Sequence, residues 1–223
     1  MPKFYGYSIL SVLALFFATG CTNEDLSNNT YYESAWCVVQ GRGSQISLLT
    51  DQKDILKPTE SLDSAHFQAG DRYRVLYITL GNQANYSTVS GSKLVKISGV
   101  PQPVLVSDVI QHSLFSGSIM DTVLLNDKPF LGGGFLNFDF KFRASNSVIK
   151  HGIYLLQDSL VHRKMYLRFG HHANNDVTGP LESALASFPI SSLKHASDAD
   201  SLIISLLGDT KFQNNRVALK DTL

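Results

Sequence analysis

The stretch FLNFDFKFR, residues 135–143, decides the fold class of this chain. Its side chains alternate strictly. Leu136, Phe138, Phe140 and Phe142 fall on one face, and Asn137, Asp139, Lys141 and Arg143 on the other. That is the period of a half-buried antiparallel strand with one wet face. Gly132-Gly133-Gly134 precede it. A glycine run cradles phosphate when a helix follows; no helical pattern follows here, so the run reads as a turn.

Segments on both sides keep the same period. Downstream come VIKHGIYLLQ, KMYLRFGHH, ALASFPIS and SLIISLL; in the second, Met165, Leu167, Phe169 and His171 share a face opposite Tyr166, Arg168 and His172. Upstream, residues 34–40 and 44–50 are β-rich runs parted by Gly41-Arg42-Gly43, a hairpin signal. LLTDQKDILKP reads as a strand, a turn at Asp51 to Asp54 and a second strand halted by Pro58. In GDRYRVLYITLGN, Tyr73, Val75, Tyr77 and Thr79 alternate with Arg72, Arg74, Leu76 and Ile78. Both faces are apolar near its end, so burial on both sides is expected there. KLVKI and PVLVSDVI flank a break at Gly99-Val100-Pro101. SSLKHA and VSDVIQHS are each long enough for one helical turn, and no segment past the N-terminus shows a 3.6-residue repeat. The expected fold class is all-β, hairpin-rich, built as a barrel, a sandwich or one of each.

The N-terminus has a different character. Lys3 is followed by an apolar run from Ile9 to Ala18 and then by Thr19, Gly20 and Cys21. The run is roughly 10 residues, half of what a membrane-spanning helix needs, and the order of parts is that of a secretory signal. Ala18-Thr19-Gly20 before Cys21 resembles the lipobox of bacterial lipoproteins. That resemblance implies cleavage between Gly20 and Cys21 and acylation of Cys21 with diacylglycerol and palmitate-type chains. One acyl chain anchors marginally, whereas two or three hold firmly. TNEDLSNN then reads as a polar tether. Its Glu24 and Asp25 resemble the acidic signal that sends lipoproteins to the cell surface in one group of anaerobic Gram-negative bacteria.

Composition narrows the partners. The chain has 19 basic and 19 acidic residues and no net charge. Without a basic excess to release counterions from phosphates, a nucleic-acid partner is not expected. The second cysteine, Cys37, lies in the apolar run AWCVV with no thiol to pair with once Cys21 is acylated, and reads as a small buried hydrophobe.

Several motifs together resemble the NigD-like family of bacterial lipoproteins. Leu49-Thr50-Asp51 followed by Ile55-Leu56-Lys57-Pro58 matches a family turn, with Lys53 where glycine is usual. Gly70 to Val75 resembles a family strand, and Phe135 to Phe142 the strand opening the second domain. MYLRFGHHANND, followed by Ser187-Phe188 and Ser191 to Leu193, resembles a paired C-terminal signature. The resemblance implies an N-terminal OB-like β-barrel and a C-terminal antiparallel β-sandwich. The expected division is a signal peptide at 1–20, a tether at 21–30, the barrel at 31–128 and the sandwich at 129–223. The family takes its name from a bacteriocin locus, which implies a role in immunity; no enzymatic activity, cofactor or catalytic residue comes with it.

The residues themselves offer little chemistry. FGHHANNDVTG is the one dense constellation, with His171, His172 and Asp176 as weak metal candidates. Adjacent histidines on a strand point to opposite faces, so the two cannot share a metal without a bulge. A strand ending in a polar Asn/Asp turn accounts for the segment. His151, between apolar neighbours, reads as a hydrogen-bonded core histidine, and no hydrolase signature is present. The expectation is a non-catalytic protein held to the membrane by lipid at the outer membrane, facing outward. Its partner would be a toxin, a glycan or a surface protein, and Tyr73, Tyr77 and Tyr86 are the candidate binding residues. The first alternative is a structural accessory subunit of a surface glycan-uptake or adhesion complex, and the second a metal-dependent hydrolase. Nothing in the sequence specifies an oligomeric state.

Overall fold

Strand β1 (Glu33–Gln40) opens a closed barrel and pairs with both of its neighbours. The computed structural model describes residues 31–63, 66–80, 92–117, 121–145, 149–206 and 215–218. The expected signal peptide, Cys21, Glu24, Asp25, the tether and Tyr86 lie outside them. After β1 come β2 (Ser47–Thr50), β3 (Ile55–Pro58), β4 (Arg72–Thr79) and β5 (Ser92–Pro103). They close in the order β1-β2-β3-β5-β4, with β3 and β5 parallel and the other pairs antiparallel. This is the five-stranded OB-type barrel. Alternate residues fill it: Ala35, Cys37 and Val39 from β1, Leu48, Leu56, Val75 and Tyr77, and Val95.

The barrel's turns explain its odd residues. Lys53, standing where glycine is usual, has φ of 72°, the left-handed conformation that such a turn demands. The turn holds nonetheless, because Lys53 N donates to Thr50 O at 2.9 Å and Asp54 N to Thr50 Oγ1 at 3.0 Å. The break expected at Gly99-Val100-Pro101 is absent; β5 runs through it, and the ladder absorbs the irregularity as a register shift opposite Arg74 and Leu76. The outer face of β4 also differs from expectation. Leu76 is exposed, and the outer face is buried at the other end, at Arg72.

Among the described residues ten strands build the sandwich: β6 (Leu105–Val106), β7 (Ile110–Gln111), β8 (Leu124–Leu125), β9 (Phe130–Gly132), β10 (Phe135–Arg143), β11 (Gly152–Val161), β12 (Lys164–His172), β13 (Leu181–Pro189), β14 (Ser201–Leu206) and β15 (Asn215–Ala218). One sheet runs β6-β13-β10-β8 with β9 also on β10, and the other runs β15-β14-β12-β11-β7. Hairpins do not account for all of it, since β6–β13, β7–β11 and β12–β14 are parallel. Sheet membership passes to the sandwich at Leu105, upstream of the expected boundary at 128, because β6 to β8 pair with sandwich strands. The expected helical turns appear as 3-10 turns at His112–Leu114, Ile190–Ser192 and Ala196–Asp198.

Phenylalanines from both sheets meet in the sandwich core. Phe138 stacks on Phe169 at 4.1 Å between centroids, with Phe188 edge-on to Phe138 at 5.8 Å and Phe140 edge-on to Phe169 at 5.1 Å. Removing one such ring costs about 3–5 kcal/mol.

The polar face of β10 is not wet along its length. Its first half carries the barrel. Arg72, 2% exposed, donates from Nη2 to both oxygens of Asp51 and to Asn137 Oδ1 at 3.1 Å, and from Nε to Ser187 Oγ at 2.8 Å. Its guanidinium also lies over the Phe135 ring at 4.3 Å. One turn of the pleat away, Arg74 pairs with Asp139. Charges buried this way must be paired: the barrel's own Asp51 meets Arg72, while the sandwich adds Asn137 and Ser187 to Arg72 and Asp139 to Arg74. Alternation correctly separated the two faces of β10; it could not say that a second domain would cover the polar one.

Candidate functional site

Two of the three candidate tyrosines are built into the barrel. Tyr77 is 4% exposed, and its hydroxyl donates to Glu33 Oε2 at 3.0 Å. Burial first, then Glu33, pushes its hydroxyl pKa up. Tyr73 packs on Phe67 at 4.6 Å and donates to His66 O at 2.5 Å. Both side chains lie on the inward face of β4, which is why they pack rather than present a surface.

The polar cluster that the strand ends assemble lies in the sandwich. His151 Nδ1 is 2.7 Å from His171 Nε2, the two rings nearly parallel at 14°, and His151 Nε2 is 3.3 Å from Asp176 Oδ2. Phe142 packs against both imidazoles at 4.9 Å. Asp176, 2% exposed, accepts from Ser145 N at 2.8 Å and from Ser145 Oγ. His172 points to the other face and is half-buried, as the strand period required. Among the described residues no group of three or more His, Cys, Asp or Glu side chains is placed to hold a metal.

This row of side chains holds two loops rather than activating a nucleophile. A hydrolytic triad needs the hydroxyl on the imidazole, and here Ser145 sits on the carboxylate at the far end. Burial, then His151, lowers the His171 pKa to about 4, with Asp121 opposing and His172 adding a little. His171 is therefore neutral at ordinary pH, a spacer of the core edge. Beside His151 an open cleft of about 710 Å³ runs between the two sheets, floored by Phe140, Phe142, Ile153 and Ala184, with Lys150 and Glu182 at its mouth. A second cleft of about 470 Å³, lined by His171, Asp121, Arg143 and Leu181, lies near it.

The histidine pair was not legible in the sequence because the β11–β12 hairpin hides its turn. His162 and Arg163 both have positive φ, 46° and 60°, where Asn-Gly or Asp-Gly is the usual signal. A bulge between Gln157 and Ser159 then shifts the register, so that even a recognised hairpin would misplace His151 by one residue.

An OB-type barrel docked on a β-sandwich defines a two-domain, all-β class of protein. Residues 118–216 match the NigD-like C-terminal beta sandwich domain. The whole fold is similar to that of several solved proteins. A protein of unknown function from Bacteroides vulgatus ATCC 8482 is 14% identical, with a TM-score of 0.66 over 86% of this chain and 94% of that one. A candidate lipoprotein from Bacteroides fragilis NCTC 9343 is 10% identical, with a TM-score of 0.61 over 84% and 98%. A NigD-like immunity protein from Bacteroides caccae ATCC 43185 is 16% identical, with a TM-score of 0.58 over 86% and 94%. At these identities the likeness is one of fold. No curated protein matches the chain in sequence.

Proposed function

We propose that this is a non-catalytic binding protein of the cell envelope, held at the outer membrane by lipid on Cys21 and facing outward, whose partner is a bacteriocin-type toxin. The observation that carries the reading is the NigD-like sandwich at 118–216 in a fold shared with a NigD-like immunity protein. A lipid-fixed chain with a polar stretch after its acylated residue offers its domains to an incoming protein without needing chemistry of its own. The His151–His171–Asp176 row fits that role, since it stiffens the end of the sandwich and leaves no activated nucleophile. Among the described residues no helix is long and apolar enough to cross a membrane.

The test is localisation. The native protein and a Cys21→Ala variant are expressed in a related host, followed by membrane fractionation and protease shaving of intact cells. The native form should fractionate with membranes and be shaved, and the variant should be released or left unprocessed. Identical behaviour of the two forms would sink the lipid-anchored reading.

A further inference from the structure

Four pieces of chain are knotted at one end of the sandwich, with two imidazoles inside the knot. Asp121 N, ahead of β8, donates to His171 O at 3.3 Å, and Ala173 N returns a bond to Asp121 Oδ2 at 2.7 Å. Ser145, just past β10, donates its N–H and its hydroxyl to Asp176 Oδ1. Asn174 Nδ2 donates to Lys150 O, ahead of β11. The turn that these bonds hold is strained, since Asn174 and Asn175 both take left-handed φ, 51° and 71°.

The ring nitrogens fix how many protons the knot can carry. Nδ1 of His151 and Nε2 of His171 are 2.7 Å apart, so one proton lies between them, and a proton on each would set two N–H groups head to head. His151 Nε2 faces Asp176 Oδ2 at 3.3 Å and carries the second proton, donated to that carboxylate. Both rings are then neutral, each with its hydrogen on Nε2. The remaining nitrogen, His171 Nδ1, is a bare lone pair, buried and without a hydrogen-bond partner. A third proton, whichever ring it enters by, leaves an N–H at His171 Nδ1, because the other two places are taken. Buried there, that N–H has no acceptor.

The surrounding charges do not rescue it. Asp121 favours the proton, but burial and then His151 outweigh it, and His172 on the opposite face of the strand opposes it further. Arg143 lines the smaller cleft beside Asp121, and Lys150 and Glu182 line the larger one beside His151. Asp176 meets the row at His151.

We infer that this knot is a proton-operated latch: acid parts the two imidazoles, frees the turn at 173–176 from Asp121, Ser145 and Lys150, and bares Phe142, while the core behind it stays paired. Once the rings part, water supplies the acceptor that His171 Nδ1 lacks. The open form then takes the proton that the closed form refuses, and acid draws the equilibrium toward opening. Phe142 packs on both imidazoles and loses that cover when they separate. The larger cleft, lined by Ser145, Lys150 and His151, widens with it. The core has its own fastening, because the Phe138–Phe169 stack and the β12–β14 ladder, from Lys164 to Phe169, end before His171.

The test is native-state hydrogen exchange on the full chain from pH 7 to pH 5, at urea concentrations below the unfolding transition. Corrected for intrinsic rates, the opening constants of the Asp121, Ser145 and Ala173 amides should rise about tenfold per pH unit below pH 6.5. They should ignore urea, whereas the Phe169 amide, which exchanges by global unfolding, should respond to it. His171→Gln keeps a donor toward His151 but takes up no proton, so its opening constants should be flat in pH. Should that variant misfold, the nitrogen-15 shifts of the native histidine rings still decide: at pH 7 His171 should carry hydrogen on Nε2 and none on Nδ1. A proton on His171 Nδ1 at pH 7 would overturn the latch. So would opening constants that ignore pH, or that keep their slope in His171→Gln. Urea sensitivity at the knot amides equal to that at Phe169 would make the event global unfolding and overturn it equally.

Discussion

Arg72 Nη2 lies 2.7 Å from Oδ1 and 2.6 Å from Oδ2 of Asp51, and this pair of barrel residues, almost sealed from water, is tied to the sandwich through Asn137 and Ser187. Removing one partner leaves the other charged and buried. Asp51→Ala should therefore cost about 3–5 kcal/mol in urea unfolding. Arg72→Lys should recover little of that loss, because one ammonium cannot reach Asp51, Asn137 and Ser187 together. The double change Arg72→Met with Asp51→Leu should cost less than Asp51→Ala alone. A double variant no better than the single one would show that the pair acts through more than compensation of buried charge.

Stability should fall in mild acid through His171. Its pKa is lowered from 6.5 to about 4, so between those values the unfolded chain binds a proton that the folded chain refuses. The unfolded state then binds more protons, and unfolding free energy drops as pH falls. The loss begins near pH 6.5, is complete near pH 4, and amounts to about 3 kcal/mol. Urea titrations of native protein and His171→Gln across this range should show the difference between the two curves closing as pH falls. Parallel curves would place the acid sensitivity elsewhere.

Cys37 should be inert while the barrel is closed. Burial pushes its thiol up to about 12, with Arg72 pulling against it and Asp51 adding to it. Its Sγ lies 3.5 Å from Tyr73 O, inside the barrel. In a Cys21→Ala chain at pH 8, a disulfide reagent should label the folded protein about a thousandfold or more slowly than the chain in urea. Rapid labelling of the folded form would mean that the barrel opens readily along β1.

Most of the fold follows from local pattern. The alternation in FLNFDFKFR separated Phe138 and Phe140, now in the core, from Asn137 and Asp139. The turn at Asp51 to Asp54 was legible from its Asp residues even with Lys53 in the glycine position. What was not legible depends on partners far along the chain. Tyr77 alternates like any half-exposed tyrosine, and only closure of the barrel makes it core. The cleft beside His151 exists because β6 and β7 are two residues each, and strand length at a crossover is a property of the packed sheets rather than of local sequence.

The polar character of the junction bears on the order in which the chain is made. A ribosome delivers the barrel strands, complete at Pro103, well before Asn137 and Ser187 exist to meet Arg72. Domains fold in that order during synthesis, and waiting surfaces are where nascent proteins stick to one another. The surface that waits here sets Arg72, Arg74 and Asp51 beside Trp36, and water solvates the charged groups while the second domain is still being assembled. The charged groups that face water during that interval are the same ones that later lock the junction.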